Sequence, residues 1–205
     1  MKLNKIIGIV VGISIIGFVL YSLQGSQSSE TYLDEIKQHR EEKDKLMLAE
    51  DAPFAGKAEE FTGLKYFDTN PDYRISASLE PVKSKKVVRL STNDGLETPY
   101  LEYAYADFAI NNVKCRLLIL EIMEAGPDRG TLFLAFADDT STKETYGAGR
   151  YIDIKKVPGS SSVLLDFNKA YNPYCAYSDK FSCPFPPKEN ILNVPIRAGE
   201  KVYHY

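Results

Sequence analysis

The stretch Tyr100–Ile122, which reads YLEYAYADFAINNVKCRLLILEI, decides the fold class that this sequence predicts. Its two halves are rich in aromatic, β-branched and aliphatic residues, and Asn111-Asn112 lies between them. Asparagine tolerates the positive φ that a two-residue hairpin turn requires. The stretch therefore predicts two long antiparallel strands, Tyr100–Ile110 and Val113–Ile122, joined by a tight turn.

Shorter runs of similar composition, bounded by Gly, Pro, Asn and Asp, occur on both sides of this hairpin. The predicted strands are Tyr73–Glu80, Lys86–Ser91, Thr131–Ala137, Tyr151–Lys155, Ser162–Phe167, Ile191–Ile196 and Lys201–Tyr205. A second hairpin is predicted across residues 157–160, whereas Asn168–Asn190 lacks any periodicity. We therefore expect a mainly β fold, an antiparallel β-sandwich or a barrel-like domain, with a long loop packed against one end.

The N-terminus contains an uncharged apolar run, Ile6–Leu23, which is long enough to cross a bilayer. Lys2 and Lys5 precede this run, so the positive-inside bias places residues 1–5 in the cytoplasm. A cleaved signal peptide, ending near Gly25, is the alternative, but its apolar core is usually shorter. We expect an uncleaved transmembrane anchor in the cytoplasmic membrane, with the rest of the chain on the extracytoplasmic, periplasmic side.

The chain beyond this anchor has the composition of one folded domain. Residues 24–29, QGSQSS, form a short tether, and residues 30–50 predict a charged helix. Residues 30–205 are long enough to bury a core, and the 44% hydrophobic content of the chain is typical of a globular protein. A formal net charge of -3 without a basic stripe argues against nucleic acid as a partner.

Familiar catalytic and cofactor-binding motifs are missing from the sequence. Its two histidines, His39 and His204, are poorly placed for a catalytic triad. Gly147–Ile152 begins like a dinucleotide fingerprint but lacks the third glycine and leads into a strand, so we expect no cofactor. The oxygen-rich residues 138–144 match no calcium loop and are interpreted as a turn, so we expect no metal site.

The aperiodic loop has the most unusual composition, because its prolines fix φ and its asparagines can bond irregular backbone. The candidate binding residues around it are Arg150, Asp166, Asn168, Tyr171, Asn172, Glu189 and Asn190. Arg150 can hold a carboxylate or phosphate, and Tyr171 offers a stacking face. The leading hypothesis is a membrane-anchored domain that binds a small polar or anionic ligand, or an envelope protein.

Two alternatives remain open at the level of sequence. In the first, the domain is a hydrolase- or transferase-like enzyme that uses Asp166 and Glu189 as paired carboxylates, with Arg150 stabilising negative charge. In the second, Arg150 and Asp166 form an ion pair beneath the loop, and the asparagines satisfy its backbone groups. The residue types alone do not decide whether the protein is an enzyme.

Two of the three cysteines, Cys175 and Cys183, lie in the aperiodic loop, and Cys115 lies in a predicted strand. Export favours a Cys175–Cys183 disulfide. A bridge that closes so short a loop would contribute about 2.5 kcal/mol. Two buried thiols or a redox-active thiol are the alternatives, although neither a C-x-x-C spacing nor a nearby histidine supports redox activity.

Several long motifs make the chain recognisable. They are FTGLKYF (61–67), FLAFADDTSTKETYG (133–147), GAGRYID (147–153), LDFNKAYNPYCAY (165–177) and SCPFPPKENIL (182–192) continuing through IRAGEK (196–201). With these motifs the chain resembles the bacterial family catalogued as domain of unknown function 1684, from roughly Tyr32 to the C-terminus. The resemblance implies a mainly β domain and no particular activity. One departure is Thr142, which stands where such proteins read glycine in the pattern Asp-x-Thr-Ser-Gly.

Overall fold

The structure, a computed structural model, describes residues 30–203. The predicted anchor at residues 6–23 and the tether at 24–29 lie outside the described residues. Within residues 30–203, no helix is long and apolar enough to cross a membrane. The chain contains two compact units, one ending at His39 and the other beginning at Arg40. The predicted charged helix is confirmed in the described backbone, which is helical over residues 30–46.

The second unit contains a single antiparallel sheet of seven strands within its described residues. The strands are β1 (Arg74–Pro81), β2 (Val87–Ser91), β3 (Glu97–Ile110), β4 (Val113–Ile122), β5 (Leu132–Phe136), β6 (Arg150–Ile154) and β7 (Ser162–Asp166). Their order is β6-β5-β4-β3-β1-β7, and β2 pairs with β3. The sheet curls into a half-barrel, so that β6 and β7 approach each other. The mainly β, barrel-like prediction is confirmed, and the β-sandwich alternative is wrong because the strands form one sheet.

The central hairpin of β3 and β4 is confirmed as the sequence predicts it. Asn111 and Asn112 have φ values of 49° and 64°, and Ile110 pairs with Val113 across the turn. Positive φ at both central positions gives the turn a twist that matches the two strands. The two longest strands of the sheet are therefore positioned by a local signal.

The second predicted hairpin, across residues 157–160, is wrong. β6 pairs with β5 and β7 pairs with β1, so the two strands lie at opposite ends of the hydrogen-bonded order. In the β1–β7 ladder, Ala77 and Leu165 are both fully buried. Pairing that buries apolar side chains in the core outweighs the local turn signal.

The predicted strands at the C-terminal end are also wrong. Residues 191–196 form no strand, yet Leu192, Val194 and Ile196 are buried while the residues between them are more exposed. The chain is thus extended and alternates in burial, but it joins the sheet by an isolated bridge between Ala137 and Ile191. Residues 201–203 are irregular, and residues 204–205 lie outside the described residues.

Residues 168–200, here called the covering segment, pack against the sheet. Its regular structure is limited to short 3-10 turns, such as Tyr174–Ala176 and Lys188–Asn190, which confirms a long packed loop. Apolar side chains of the covering segment pack in the same core cluster as sheet residues such as Leu117 and Ile119. Apolar burial of this kind is the main favourable contribution to folding.

The covering segment also meets the sheet through backbone hydrogen bonds at two places. Along β6, the amides and carbonyls of Tyr151 and Tyr171 bond reciprocally, with N···O distances of 2.8 and 3.0 Å. Beside β2, the amide of Phe185 donates to the carbonyl of Ser91 at 2.9 Å. These contacts hold the covering segment against the sheet.

Candidate functional site

A cavity of about 340 Å³ lies between the covering segment and residues 43–64 of the second unit. Its aromatic lining consists of Tyr151, Tyr171, Tyr174, Tyr177 and Phe181. Its polar lining consists of Lys43, Asn172, Ser182, Cys183 and Glu200. Leucine, methionine and proline side chains complete the wall. A largely apolar hollow of this size with a few polar groups has the usual composition of a small-molecule site.

Two tyrosine rings are held in place by hydrogen bonds from their hydroxyl groups. The hydroxyl of Tyr151 donates to the carbonyl of Pro184 at 2.6 Å, and that of Tyr171 donates to Asp153 Oδ1 at 2.8 Å. The two rings meet edge to face, with their centroids 6.0 Å apart. The aromatic wall is therefore preorganised, since each ring is fixed both by packing and by its polar end.

Glu200 is the buried acid of the cavity, with only 1% of its surface exposed. Its Oε2 accepts a hydrogen bond from the amide of Asn172 at 2.9 Å, and its Oε1 accepts from Asn172 Nδ2 at 2.9 Å and from the Tyr177 hydroxyl. Burial raises the pKa of Glu200 to about 7, and these hydrogen bonds and the charge of Lys43 oppose that shift. Glu200 can therefore gain or lose a proton near neutral pH.

Lys43 supplies the positive charge that lines the cavity. Its Nζ lies 3.7 Å from the centroid of the Tyr171 ring, in cation–π contact, and its charge stabilises the ionised form of Glu200. Arg40, one turn earlier, instead donates to the carbonyl of Phe67 at 3.0 Å and does not line the cavity. The chain thus presents one of these two cations to the cavity.

Cys183 lies in the cavity wall next to Cys175, and both are present as thiols. The amide of Cys175 is 3.2 Å from Cys183 Sγ. The predicted Cys175–Cys183 disulfide stays a prediction, and the structure brings the two side chains together. Cys115 is buried in β4, in another part of the described chain.

Arg150, the central residue of the predicted site, is fully buried and does not line the cavity. Its Nη2 forms an ion pair with Asp138 Oδ2 at 2.8 Å and donates to the carbonyl of Ile196 at 3.0 Å. Its Nη1 donates to the carbonyls of Ala198 and Glu200. Burial lowers the pKa of Arg150, and Asp138 opposes that effect. Through these contacts, the guanidinium of Arg150 holds the covering segment in place.

The predicted asparagines mostly bond backbone groups. Asn168 accepts from the amide of Asn70 at 2.9 Å and donates to its carbonyl at 2.8 Å. Asn190 donates to the carbonyls of Leu118 and Ala135 and accepts from the amide of Leu118. Asn190 therefore satisfies backbone groups of β4 and β5, and Asn168 those of Asn70, whereas the sequence alternative expected these asparagines to bond the backbone of the loop itself.

Asp166 and Glu189, the predicted carboxylate pair, lie in different surroundings. Asp166 is buried and accepts from the amide of Asn168 at 3.2 Å, at the start of a 3-10 turn. Glu189 is exposed in another turn, and neither residue lines the cavity. The paired-carboxylate mechanism therefore rests on sequence alone. Of the seven predicted binding residues, the cavity includes two, Tyr171 and Asn172.

The sequence interpretation missed Lys43, Tyr177 and Glu200. Glu200 lies in the IRAGEK motif, but its partner Asn172 is 28 positions away. Lys43 belongs to a helix that reads as uniformly charged. The available signal for Glu200 was an acidic residue within a recognised motif, next to the apolar positions 194, 196 and 198 that the core buries.

The oxygen-rich turn at residues 138–145 is tied to itself and to the covering segment. Asp138 Oδ1 accepts from the amide and hydroxyl of Thr140 and from the amide of Ile196. Thr142 has a φ of 69°, a left-handed conformation that favours glycine. The turn therefore forms with threonine at that position. In residues 30–203, no cluster of three His, Cys, Asp or Glu side chains is arranged to hold a metal ion.

The family described as "Protein of unknown function (DUF1684)" matches residues 59–201, which include the sheet, the covering segment and most of the cavity wall. The chain belongs to this family. The family resemblance seen in the motifs is thus confirmed. No curated protein matches the chain.

A solved relative supports the same fold. The solution NMR structure of an uncharacterized protein from Haloarcula marismortui is 33% identical, and its TM-score to this chain is 0.65. The match covers 85% of this chain and 96% of that protein. This relative shares the architecture of the chain, and neither its description nor that of the family names an activity.

Proposed function

We propose that the domain binds a small molecule with an aromatic or otherwise apolar body and one anionic group. The observation that carries this proposal is the preformed cavity of about 340 Å³ beneath the covering segment. Its aromatic wall would bury the apolar body, which is the main source of affinity in such sites. The few polar groups of the wall would then fix the orientation of the ligand.

Lys43 supports an anionic group on the ligand. Its ammonium is held over the Tyr171 ring, where it can pair with a carboxylate, sulfonate or phosphate. Glu200 does not oppose such a ligand strongly, because its raised pKa of about 7 allows it to bind a proton when an anion enters. The protonated carboxyl can also donate a hydrogen bond.

The burial of Arg150 changes which residues support the proposal. The sequence predicts that Arg150 binds the anionic group of the ligand. However, its guanidinium already bonds Asp138 and three carbonyl groups. Lys43 takes that role in the proposal. Tyr171 and Asn172 keep the roles that the sequence suggested, a ring face and an orienting amide.

The test uses fluorescence anisotropy of indoleacetate, titrated with the full-length chain in mild detergent. The chain has no tryptophan, so the indole can be excited selectively. We expect indoleacetate to bind more tightly than neutral indole, and indole more tightly than the cation tryptamine. The affinity for indoleacetate should fall several-fold between pH 6 and pH 8, as Glu200 loses its proton.

Matched variants locate the binding. Lys43→Met should weaken the binding of indoleacetate about tenfold. Lys45→Met, on the same helix but outside the cavity, should leave the affinity for indoleacetate unchanged. Tyr171→Leu should weaken the binding of both indoleacetate and indole. The proposal is wrong if none of these aromatic probes binds, or if the Lys43 and Lys45 variants behave alike. Tighter binding of tryptamine would contradict the anionic part of the proposal.

We also propose that residues 6–23 hold this domain on the outer side of the cytoplasmic membrane. The uncharged run and the preceding lysines support this location. In cell fractionation, the full chain should sediment with membranes, and added protease should digest its domain in intact spheroplasts. A chain that resists protease until the cells are lysed would contradict this location. Deletion of residues 6–23 is the matched control for membrane attachment.

A further inference from the structure

Cys175 and Cys183 form a contact pair at the wall of the cavity. Cys175 lies in the 3-10 turn Tyr174–Ala176, and Cys183 lies eight positions further along the covering segment. Cys183 lines the cavity, and Cys175 is partly exposed. The amide of Cys175 lies within hydrogen-bond distance of Cys183 Sγ, so the two residues are in direct contact.

The contacts of the two sulfur atoms are unequal. Cys183 Sγ accepts a hydrogen bond from the amide of Cys175 at 3.2 Å, and the Cys175 side chain is its neighbour. The Cys175 side chain and the Cys175 amide favour a negative charge on Cys183 Sγ and lower the pKa of its thiol. The Cys183 side chain in turn raises the pKa of the Cys175 thiol, and burial adds to this effect. Cys183 is therefore the better nucleophile of the pair.

The backbone holds Cys183 firmly while leaving Cys175 in a short turn. The Cys183 amide donates to Asn93 Oδ1 at 2.6 Å, and its carbonyl accepts from the Asn93 amide at 3.2 Å. Asn93 follows β2, so Cys183 is fixed to the sheet. The hydroxyl of Tyr146 lies 3.9 Å from Cys175 Sγ and is in reach to interact with it.

We propose that Cys183 and Cys175 form a thiol–disulfide exchange site, with Cys183 as the attacking thiol and Cys175 as the resolving thiol. The substrate is a disulfide of a small thiol that enters at the cavity. The proposal stands whether or not the cavity binds the anionic ligand, because it rests on the contacts of the two cysteines. It adds an activity to a pair for which the sequence alone suggests a structural bridge.

The reaction consists of two exchanges. The Cys183 thiolate attacks one sulfur of the substrate R–S–S–R, whose S–S bond breaks as one RS⁻ leaves, and a mixed disulfide forms on Cys183. Cys175 then loses its proton and attacks Cys183 Sγ, which releases the second RS⁻. The two protein thiols are oxidised by two electrons, the substrate is reduced to two thiols, and these take up the two protons. The reverse sequence reduces the protein.

The test uses glutathione disulfide as the probe and intact mass spectrometry of the full-length, acid-quenched chain as the readout. The wild type should lose two hydrogens by forming an internal disulfide, and reduced glutathione should restore both thiols. Cys175→Ser should instead accumulate one glutathione adduct on Cys183, because the resolving thiol is missing. Cys183→Ser should acquire an adduct on Cys175 at least about tenfold more slowly, since Cys175 does not line the cavity and lacks the amide hydrogen bond that Cys183 Sγ accepts.

Cys115→Ser is the matched control, since Cys115 is buried in β4 and should leave the exchange unchanged. The proposal is overturned if Cys183 in the Cys175→Ser variant stays unmodified. Equal reaction rates for the two loop cysteines would also overturn it. A wild-type bridge that reduced glutathione cannot reopen would show a structural disulfide and would contradict the exchange activity. Circular dichroism of each variant confirms that the fold is retained.

Discussion

The β3–β4 hairpin and the covering segment both bury backbone, but they satisfy it in different ways. In the hairpin, amides and carbonyls pair along a continuous ladder from Tyr100↔Ile122 to Ile110↔Val113, with one irregularity after Glu102. In the covering segment, backbone bonds to the sheet are isolated, and polar side chains supply further partners, as Arg150 does for the Ile196 carbonyl and Glu200 for the Asn172 amide. A hairpin therefore tolerates side-chain changes that a segment held by its side chains does not.

The sharpest test of this difference is Arg150→Met. The variant leaves the Asp138 carboxylate buried without its ion pair and removes the donor from the carbonyl of Ile196. We expect a loss of about 4 kcal/mol in the free energy of unfolding, the scale for breaking a buried ion pair. Urea unfolding followed by circular dichroism measures this loss.

Arg116→Met in β4 is the control for that test. Arg116 pairs with Asp107 at 2.6 Å and Glu80 at 2.7 Å, but its side chain is 50% exposed. Exposed ion pairs contribute little, so the loss should be far smaller than the loss for Arg150→Met. Equal losses for the two arginine variants would remove the distinction between hairpin and covering segment.

The next largest effect concerns Glu200 and pH. Its pKa is raised from 4.5 to about 7 in the folded protein, so the folded state binds more protons between these values than the unfolded state. The stabilisation that Glu200 contributes is fully present below pH 4.5. As the pH rises to 7, the free energy of unfolding falls by about 3 kcal/mol.

Urea unfolding at several pH values measures that loss. Glu200→Gln cannot titrate at this position and should flatten the decline, whereas Glu121→Gln in β4, which pairs with Lys156 near the surface, should keep it. A decline that persists unchanged in Glu200→Gln would assign the effect to another group and would contradict the raised pKa.

Asn190→Ala tests the substitution of a side chain for a strand partner. The change leaves two carbonyls, of Leu118 and Ala135, and the amide of Leu118 without this partner. We expect a loss of about 2 kcal/mol in the free energy of unfolding. In the hairpin turn, Asn111→Gly should change it by less than about 0.5 kcal/mol, because glycine also adopts a positive φ. Comparable losses of unfolding free energy for Asn190→Ala and Asn111→Gly, measured by urea unfolding, would contradict the difference between the hairpin and the covering segment.

The smallest expected effect is a gain. Thr142 has a φ of 69°, and a β-branched residue is strained in this region. Thr142→Gly should relieve that strain and stabilise the protein by about 1 kcal/mol. Thermal unfolding would show a higher Tm, and Thr140→Gly, which removes a buried hydroxyl bonded to Asp138, should lower it. A lower Tm for Thr142→Gly would mean that its side chain contributes more than the strain costs.

The sheet could be predicted where its signals are local. Asn111 and Asn112 are adjacent to the strands that they join, and alternation along β3 and β4 is carried by those strands themselves. The pairing of β7 with β1 could not be predicted, because it joins Arg74 to Asp166 across most of the domain. Turn signals after β6 favour a local hairpin, and burial in the core determines the pairing instead.

The candidate site was predictable only in part, for the same reason. Tyr171 and Asn172 lie within a motif of unusual composition, so the sequence points to them directly. Arg150 was a reasonable candidate as a charge beside that motif, but its burial depends on carbonyls about 50 positions away. Glu200 is buried and accepts hydrogen bonds from Asn172 and Tyr177, through contacts that no periodicity indicates.

The reciprocal bonds between Tyr151 and Tyr171 have a consequence for aggregation. β6 is the last strand of the sheet, and an open edge strand can pair with another chain. The covering segment occupies part of that edge, and Pro184, Pro186 and Pro187 further along it have no amide hydrogen to donate to a new ladder. The segment that closes the cavity therefore also shields the sheet from edge-to-edge association.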